Sequence, residues 1–282
     1  MSQKSYNNTP TVYIIPTPIG NMEDITIRAI NTLKEVDVIF CEDTRVTSQL
    51  LNYFEIKKKL ISSHKFNEDK NDNKLLEYLN NGKNVGIVTD RGTPIISDPG
   101  YELVKVAIEN NFNVVSLPGP TAFVPALTSS GLSPQPFLFY GFLINKEGKR
   151  KKELEQLKNN KETMIFYESP HRIIETLDNM LEVLGNRNIS ISREISKKFE
   201  EIYRGTIEDV KKEMLEIKGE LVIVVSGNTS KNTFDNLSIV EHVNLYIKEG
   251  LSSKDAIKKV AQDRDLNKNE VYKEYHRGDV WN

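Results

Sequence analysis

Short runs of Val, Ile and other apolar residues recur through residues 11–118, and a segment with helical spacing follows almost every run. The runs predict strands at Thr11–Ile15, Asp37–Cys41, Lys59–Ser63, Asn84–Thr89 and Asn113–Leu117. Between them, segments such as Asp24–Val36 carry apolar residues at intervals of three and four, the period of an amphipathic helix. Strands that alternate with helices predict a parallel sheet covered by helices on both faces.

The pattern changes after residue 118, where strands become denser and helices fewer. The predicted strands are Pro136–Leu143, Thr163–Glu168, Asn188–Arg193, Phe199–Arg204 and Glu220–Ser226. This mixture predicts a second α/β lobe with a mixed sheet. A polar linker and three short capped helical segments follow. We therefore divide the chain into an N-terminal lobe at 11–118, a C-terminal lobe at 119–227, and a linker with a helix-turn-helix-like extension at 228–282.

Composition narrows the class of protein. The 282 residues are 38% hydrophobic and 28% charged, which indicates a soluble globular chain. No apolar run approaches the roughly 18 residues of a membrane span, and the first residues lack the apolar centre of a signal peptide, so we expect no membrane contact. The single cysteine, Cys41, excludes an intramolecular disulfide and fits a reducing cytoplasm. The four histidines have no metal-ligand spacing, so we expect no metal site.

One loop after a predicted strand, Thr89–Gly100, is rich in residues with special backbone conformations. Its twelve residues include two Gly, two Pro and two Asp, whereas an ordinary crossover loop needs only about two to six residues. Asp98 and Pro99 predict the start of the next helix, with Asp as the N-cap and Pro at the first position. Ligands bind beyond the carboxyl ends of parallel strands, so we predict a ligand-binding loop; the alternative is a long, well-capped turn.

Polar, titratable residues also follow three other predicted strands, in Glu42–Arg45, His64–Glu68 and Glu168–Arg172. Each group alone could be a helix cap, because acids are favoured at helix N-termini. Their repetition at strand ends indicates a ligand-facing rim. Neither the dinucleotide fingerprint nor the phosphate-binding P-loop is present. Gly- and Pro-rich loops suit a ligand held by backbone groups, such as an adenosine.

The segment Lys146–Lys161 carries seven Lys or Arg residues against three Glu. It is either the solvated start of a helix or a flexible basic loop that contacts RNA phosphates, for which Lys149, Arg150 and Lys151 are the candidates. By contrast, residues 235–282 carry eight basic and nine acidic residues. Their helix-turn-helix outline therefore lacks the basic face that a DNA-binding domain needs.

Several motifs, in their order along the chain, resemble one known family. They read VYIIPTPIGNMEDIT, CEDTR, SHKFNE, TDRGTPIISDPG, LPGPTA, FYESPHR and GELVIVVSG. They resemble the ribosomal RNA small subunit methyltransferase I family of the tetrapyrrole methylase superfamily, nearly continuously over Val12–Gly227. The resemblance implies an α/β, two-lobed, tetrapyrrole-methylase-like fold, that of class III S-adenosylmethionine methyltransferases, with a small C-terminal helical extension. It also implies a homodimer.

The activity that the resemblance implies is 2′-O-methylation of a cytidine ribose at the decoding centre of 16S ribosomal RNA, in the cytoplasm. The partner would be 16S rRNA or the small ribosomal subunit, and the cofactor would be S-adenosylmethionine, with no metal. Matching the family's motifs, the cofactor-binding residues would be Pro18, Asp90, Gly92, Thr93, Pro94, Ile95, Thr121, Ala122, Tyr167 and Glu168. One residue departs from the pattern, since Arg91 stands where the family usually has a small residue, often Ala.

A ribose 2′-hydroxyl is a poor nucleophile, so a base is expected to assist it. Glu42, Asp43 and His64 are the candidate catalytic residues, and Arg45 and Arg172 are candidates to hold flanking phosphates. Two other functions stay open. One is methylation of a tetrapyrrole precursor, which the basic segment and the helical extension disfavour. The other is non-enzymatic nucleic-acid binding by the C-terminal helices, which leaves the loop-rich body unexplained.

Overall fold

A computed structural model of the chain describes residues 2–5, 7–63, 68–214, 218–229, 237–264 and 266–277, with only the backbone for 68–70. The chain divides into two units, Met1–Asn228 and Thr229–Asn282. The first unit contains two five-stranded sheets, and the second contains helices. The division of the first unit into lobes at residue 118 stays a prediction.

The first sheet is parallel throughout, as the alternation of strands and helices predicts. Its strands are β1 (Thr11–Ile14), β2 (Val38–Cys41), β3 (Lys59–Ser62), β4 (Val85–Val88) and β5 (Asn113–Ser116), in the order β3-β2-β4-β1-β5. The helices after β1 to β4 are α1 (Ile27–Glu35), α2 (Thr44–Tyr53), α3 (Glu68–Asn80) and α4 (Tyr101–Glu109). Successive residues of β2 point to opposite faces, so Phe40 packs on the α3–α4 side and Ile39 on the α1–α2 side. Both faces of this sheet are therefore buried.

The second sheet is mixed, as expected from the density of strands. It contains β6 (Phe137–Phe142), β7 (Thr163–Glu168), β8 (Asn188–Arg193), β9 (Glu201–Thr206) and β10 (Leu221–Val225), in the order β6-β7-β10-β8-β9. Only β6 and β7 pair in parallel. The helices α6 (Glu147–Leu157), α7 (Ile173–Leu184) and α8 (Ile207–Glu213) supply one face of the core, and α5 (Phe123–Ser129) packs on the other. The central strand β10 is buried along its whole length.

The predicted helix start at Asp98 and Pro99 is wrong, and the basic segment forms a helix, the first of its two interpretations, rather than a flexible loop. Helix α4 begins at Tyr101, with Gly100 in the N-cap position at φ 121°, rather than with Asp98 as its cap. Helix α7 begins at Ile173, directly after a turn at residues 170–172. Before this helix, the buried Glu168 carboxylate accepts bonds from the Ser169 amide at 2.8 Å and from a hydroxyl of α7 at 2.7 Å, which connects the end of β7 to α7. The basic segment forms helix α6 from Glu147 onward.

The second unit consists of α9 (Ile239–Lys248), α10 (Ser253–Asp263) and α11 (Lys268–His276). Their N-caps are Ser238, Ser252 and Asn267, whose side chains accept backbone N–H groups of the first turns. The core of this unit is small and contains Val243, Ala256, Ile257, Val260 and Val271. In the parts of both units that the structure describes, no helix is long and apolar enough to cross a membrane.

Candidate active site

Three loops of the first sheet are joined at the carboxyl ends of their strands. Thr17 and Gly92 exchange two backbone hydrogen bonds, at 2.9 and 3.0 Å. The Thr93 hydroxyl donates to the Pro120 carbonyl at 2.9 Å, which joins the third loop to the second. Gly92 has φ 83°, and an added Cβ would lie 3.2 Å from Ile19 Cγ2, so this position favours glycine for its backbone and its space. These bonds bring three segments that are distant in sequence to one edge of the sheet.

A cavity of about 480 Å³, which we call the first cavity, lies beside these loops. Acids and polar groups of the first sheet line one part of it, and residues at the ends of β6, β7 and β10 line the rest. Its apolar walls include Ile19, Val46, Leu221 and Val222. The volume lies within the range of roughly 300–1,000 Å³ that is typical of small-molecule and cofactor sites.

Most of the predicted cofactor-binding residues line the first cavity. They are Asp90, Gly92, Thr93, Thr121, Ala122, Tyr167 and Glu168. Pro18 instead lines a neighbouring cavity. Neither Pro94 nor Ile95 lines the first cavity. Pro94 is buried within its loop, and Ile95, at φ 80°, packs toward Gly100, so both residues shape the loop. The binding roles themselves stay predictions.

Among the three candidate catalytic residues, Glu42 lines the first cavity. The Thr89 hydroxyl donates to Glu42 Oε2 at 3.0 Å, which orients the carboxylate. Asp43 caps α2, where it accepts the Arg45 amide at 2.8 Å. Hydrogen bonds from Arg45 lower the pKa of Asp43 to about 2, so Asp43 is a weak base. His64 lies outside the residues that the structure describes.

Asp98 is an acid of the first cavity that the sequence did not single out as functional. Burial, followed by the nearby charge of Glu42, raises its pKa to about 6. Burial is also the largest cause of the raised pKa of Asp90, whose carboxylate accepts the Asp43 amide at 3.1 Å. The sequence pattern assigned Asp98 to a helix cap. A functional role could have been inferred from its position in the same Gly- and Pro-rich loop as Asp90.

Glu168 and Arg172 stabilise the connection between β7 and α7. Glu168 is buried and lies 3.5 Å from Arg172 Nε. The Arg172 guanidinium also donates to the Leu143 carbonyl at 2.9 Å. These contacts occupy Arg172 within the fold, whereas the Arg45 side chain is 86% exposed beside Asp43 and is accessible to a phosphate.

The predicted RNA contact by Arg150 is wrong, because its side chain is fully buried. Arg150 Nε donates to Asn179 Oδ1 at 2.7 Å, and its guanidinium pairs with Glu175 at 3.1 Å, which joins α6 to α7. Lys151 pairs with two glutamates, at 3.0 and 2.8 Å. Lys149 is exposed on α6 and is the member of this group most accessible to RNA.

The chemistry of the first cavity fits S-adenosylmethionine. A sulfonium and an ammonium group are cationic, and five carboxyl groups (Glu42, Asp90, Asp98, Glu168 and Glu220) line the wall. Phe142 and Tyr167, whose ring centroids are 5.5 Å apart, add aromatic surface suited to a flat purine. Among the described residues, no group of three or more His, Cys, Asp or Glu is arranged to hold a metal ion. Burial raises the pKa of Cys41 to about 11, so this thiol is not a nucleophile at neutral pH.

Curated relatives match the chain over nearly its whole length. Ribosomal RNA small subunit methyltransferase I of Bacillus subtilis (strain 168) is 48% identical over 98% of this chain and 97% of its own length. The protein of the same name from Haemophilus influenzae is 41% identical over 94% of this chain and 95% of its own length. The chain belongs to the ribosomal RNA small subunit methyltransferase I family. Membership confirms the resemblance of its strand-end motifs.

The methyltransferase I family shares its fold with the tetrapyrrole methylases. The family profile described as Tetrapyrrole (Corrin/Porphyrin) Methylases matches residues 11–211. A solved cobalt precorrin-4 methyltransferase superposes with a TM-score of 0.59 at 17% identity, covering 80% of this chain and 98% of its own. Uroporphyrin-III C-methyltransferase from Thermus thermophilus, complexed with S-adenosyl homocysteine, gives 0.56 at 21% identity, with 77% and 97% covered. At these identities the superpositions establish the fold alone.

Arg91, which the resemblance marks as a departure from the usual motif, lies on the wall of the first cavity. Its guanidinium forms an ion pair with Glu220, which precedes β10 of the second sheet. The two residues are 129 positions apart in sequence. Arg91 therefore connects the central loop of the first sheet to the second sheet.

Proposed function

We propose that this chain transfers a methyl group from S-adenosylmethionine to the 2′-hydroxyl of a cytidine ribose in small-subunit ribosomal RNA, at the decoding centre. The observation that carries the proposal is the 48% identity, over 98% of this chain, to a protein named ribosomal RNA small subunit methyltransferase I. Because that relationship spans both sheets and the helical unit, the whole chain is available for the same reaction.

When bound, S-adenosylmethionine supplies a methyl group already activated on a sulfonium. The first cavity would hold it through the carboxylates of Asp90 and Asp98, the apolar walls, and the backbone of the Gly92 and Thr121 loops. The fold joins these loops by direct hydrogen bonds. Such pre-organisation reduces the entropic cost of aligning two reactants.

The chain must also receive the proton that the ribose hydroxyl loses. We assign this role to Glu42, because its carboxylate lines the first cavity and is oriented by Thr89. Asp43 is a poorer candidate, since its hydrogen bonds to Arg45 hold its pKa at about 2.

Labelled methyl transfer tests the proposed function. The protein is incubated with methyl-labelled S-adenosylmethionine and small ribosomal subunits from cells that lack the modification, and the labelled nucleoside is then identified. We expect 2′-O-methylcytidine at one position. Label on a base, or label only in a porphyrin precursor offered in parallel, would refute the proposal.

The variant Glu42→Gln tests the assigned base, because it keeps the size of the side chain and removes the proton acceptor. We expect the methyl-transfer rate to fall by about 10²–10⁴, as is typical for loss of a general base, with the affinity for cofactor much less affected. The matched control is Glu109→Gln on the exposed surface of α4. A Glu42→Gln enzyme with the wild-type rate would remove Glu42 from the proton path.

The remaining parts of the proposal concern the assembly and its location. We propose a homodimer in the cytoplasm, where ribosomal subunits are found, and the buried thiol of Cys41 is compatible with a reducing compartment. Sedimentation equilibrium measures the assembly directly. A mass equal to the 32.2 kDa of one chain at micromolar concentration would contradict the dimer.

A further inference from the structure

A second cavity, of about 410 Å³, adjoins the first. Val46, Thr89, Asp90 and Arg91 line both cavities and form the wall between them. Methyl transfer requires the acceptor atom to come within about 3–3.5 Å of the methyl carbon, so the acceptor has to enter from a space next to the cofactor. We propose that the second cavity receives the target nucleoside of the RNA; this inference rests on the proposed function.

The walls of the second cavity suit a nucleobase. Met22, Val46 and Leu50 provide apolar surface for the faces of a planar ring. Gln49, on the outer side of α2, makes no side-chain hydrogen bond to any other residue in the described part of the chain. Its amide offers one acceptor and a donor group to a ligand. Cytosine presents the complementary pair, the N4 amino donor beside the N3 acceptor, so Gln49 can recognise the base edge.

Two cations lie at the edge of the second cavity. An added Cβ at Gly20 would lie 2.3 Å from Lys197 Cγ, so the Lys197 side chain runs directly across this glycine. From there, Lys197 Nζ reaches Glu194 at 2.8 Å and Glu220 at 2.9 Å. Arg91 pairs with the same Glu220. The Glu220 carboxylate therefore holds both Arg91 and Lys197 beside the wall that the two cavities share.

The ion pair between Arg91 and Glu220 can exchange partners when RNA binds. The side chains of Arg91 and Glu220 are 54% and 63% exposed. Exposed pairs of this kind contribute little net free energy to a fold. A phosphate of the RNA backbone offers Arg91 an equivalent negative partner, and Arg binds phosphate with favourable geometry. Arg91 would thus hold a phosphate that flanks the nucleoside.

A steric variant tests the second cavity. Met22 is 37% exposed at the cavity wall, so Met22→Trp fills space without disturbing the core. We expect kcat/KM for methyl transfer to small subunits to fall at least tenfold, with the calorimetric Kd for S-adenosylmethionine within twofold of wild type. The matched control is Ile108→Trp, at a 56% exposed position on α4, which should change neither quantity.

Gln49→Ala tests base recognition, with Gln156→Ala on the exposed face of α6 as its control. Loss of one or two neutral hydrogen bonds should raise KM for the RNA substrate about threefold to thirtyfold and leave kcat unchanged. No rise in KM would remove Gln49 from the proposed subsite.

The position of the RNA is examined separately, with an oligonucleotide that carries 5-iodocytidine at the target, irradiated in the presence of S-adenosylhomocysteine. We expect cross-links within residues 18–22 or 46–50.

Two results would overturn the inference. An unchanged kcat/KM in Met22→Trp means that the nucleoside does not use the second cavity, and a tenfold weaker Kd for S-adenosylmethionine means that the cofactor occupies it. Failure of the proposed function is distinguishable, because the wild-type protein would then transfer no methyl to RNA. In that case the cross-linking still decides whether RNA enters the cavity.

Discussion

Asp98→Asn should stabilise the folded protein near neutral pH, although it removes a carboxylate from the candidate active site. Burial and the charge of Glu42 raise the pKa of Asp98 from an ordinary 3.8 to about 6. Each pKa unit corresponds to about 1.4 kcal/mol, so ionising Asp98 in the fold costs up to about 3 kcal/mol. Solvent screening of this partly buried group reduces the penalty, and we expect about 1–2 kcal/mol.

The stabilisation by Asp98→Asn should depend on pH, because it reflects the ionisation of the Asp98 carboxyl. Below about pH 3 the carboxyl is protonated in both the folded and the unfolded chain, so wild type and Asp98→Asn should differ little. As pH rises to about 6, the unfolded chain ionises first and the wild type loses stability. Well above pH 6, Asp98 is ionised in the folded protein as well, and the free-energy cost of its ionisation no longer changes with pH. The gain in free energy of unfolding for Asp98→Asn should therefore appear between about pH 3 and 6 and then stay constant.

Urea unfolding followed by circular dichroism at pH 4.5 and 8 measures the difference. Glu109→Gln, on the exposed face of α4, is the control and should change the free energy of unfolding by less than about 0.5 kcal/mol at either pH. An Asp98→Asn protein that is less stable than wild type at pH 8, or equally stabilised at pH 4.5 and at pH 8, would refute the reasoning. The same variant should bind S-adenosylmethionine more weakly, because it loses a negative charge beside a cationic ligand.

Three other predictions follow from single contacts. Asp90→Ala should weaken the calorimetric Kd for S-adenosylmethionine about tenfold, since one charge-assisted hydrogen bond is worth about 1.5–3 kcal/mol; an unchanged Kd would remove Asp90 from the site. Arg150→Ala should cost about 2–4 kcal/mol in urea unfolding, because it leaves a cavity and an unpaired Asn179 amide oxygen, and a loss below 1 kcal/mol would contradict this. Burial and then the charge of Arg264 lower the pKa of His242, so the helical unit should lose thermal stability as pH falls below about 6.5. An identical melting temperature at pH 7.5 and 5.5 would argue against this prediction.

Local patterns were sufficient for the framework of the site. The apolar runs predicted the strands of the first sheet, and parallel strands must end at the same edge, so the motifs of residues 42–45 and 89–100 were expected to lie together. The caps at Thr206, Ser252 and Asn267 were also predictable, because a cap depends on residues within one helical turn. The resemblance of the motifs to one family was confirmed over nearly the whole chain.

Burial was harder to predict for charged residues. Arg150 belongs to a run of basic residues that is typical of a solvated surface, yet it is fully buried. Its partners Asn179 and Glu175 lie on α7, a separate helix whose position no local pattern of α6 specifies. The environment of Asp98 was also mispredicted, because its sequence context matched a helix cap. In the fold, Gly100 takes the N-cap position of α4 and Asp98 lines the first cavity.

Short-range periodicity and motifs were enough to predict the succession of strands and helices, the loops that carry polar residues, and the family. Three features became visible in the folded chain: two cavities adjoin, Pro18 lines the second of them, and Arg91 pairs with Glu220, 129 positions away. No local pattern could predict them, because the burial, pKa and hydrogen-bond partners of a side chain depend on packing between segments that are far apart in the chain.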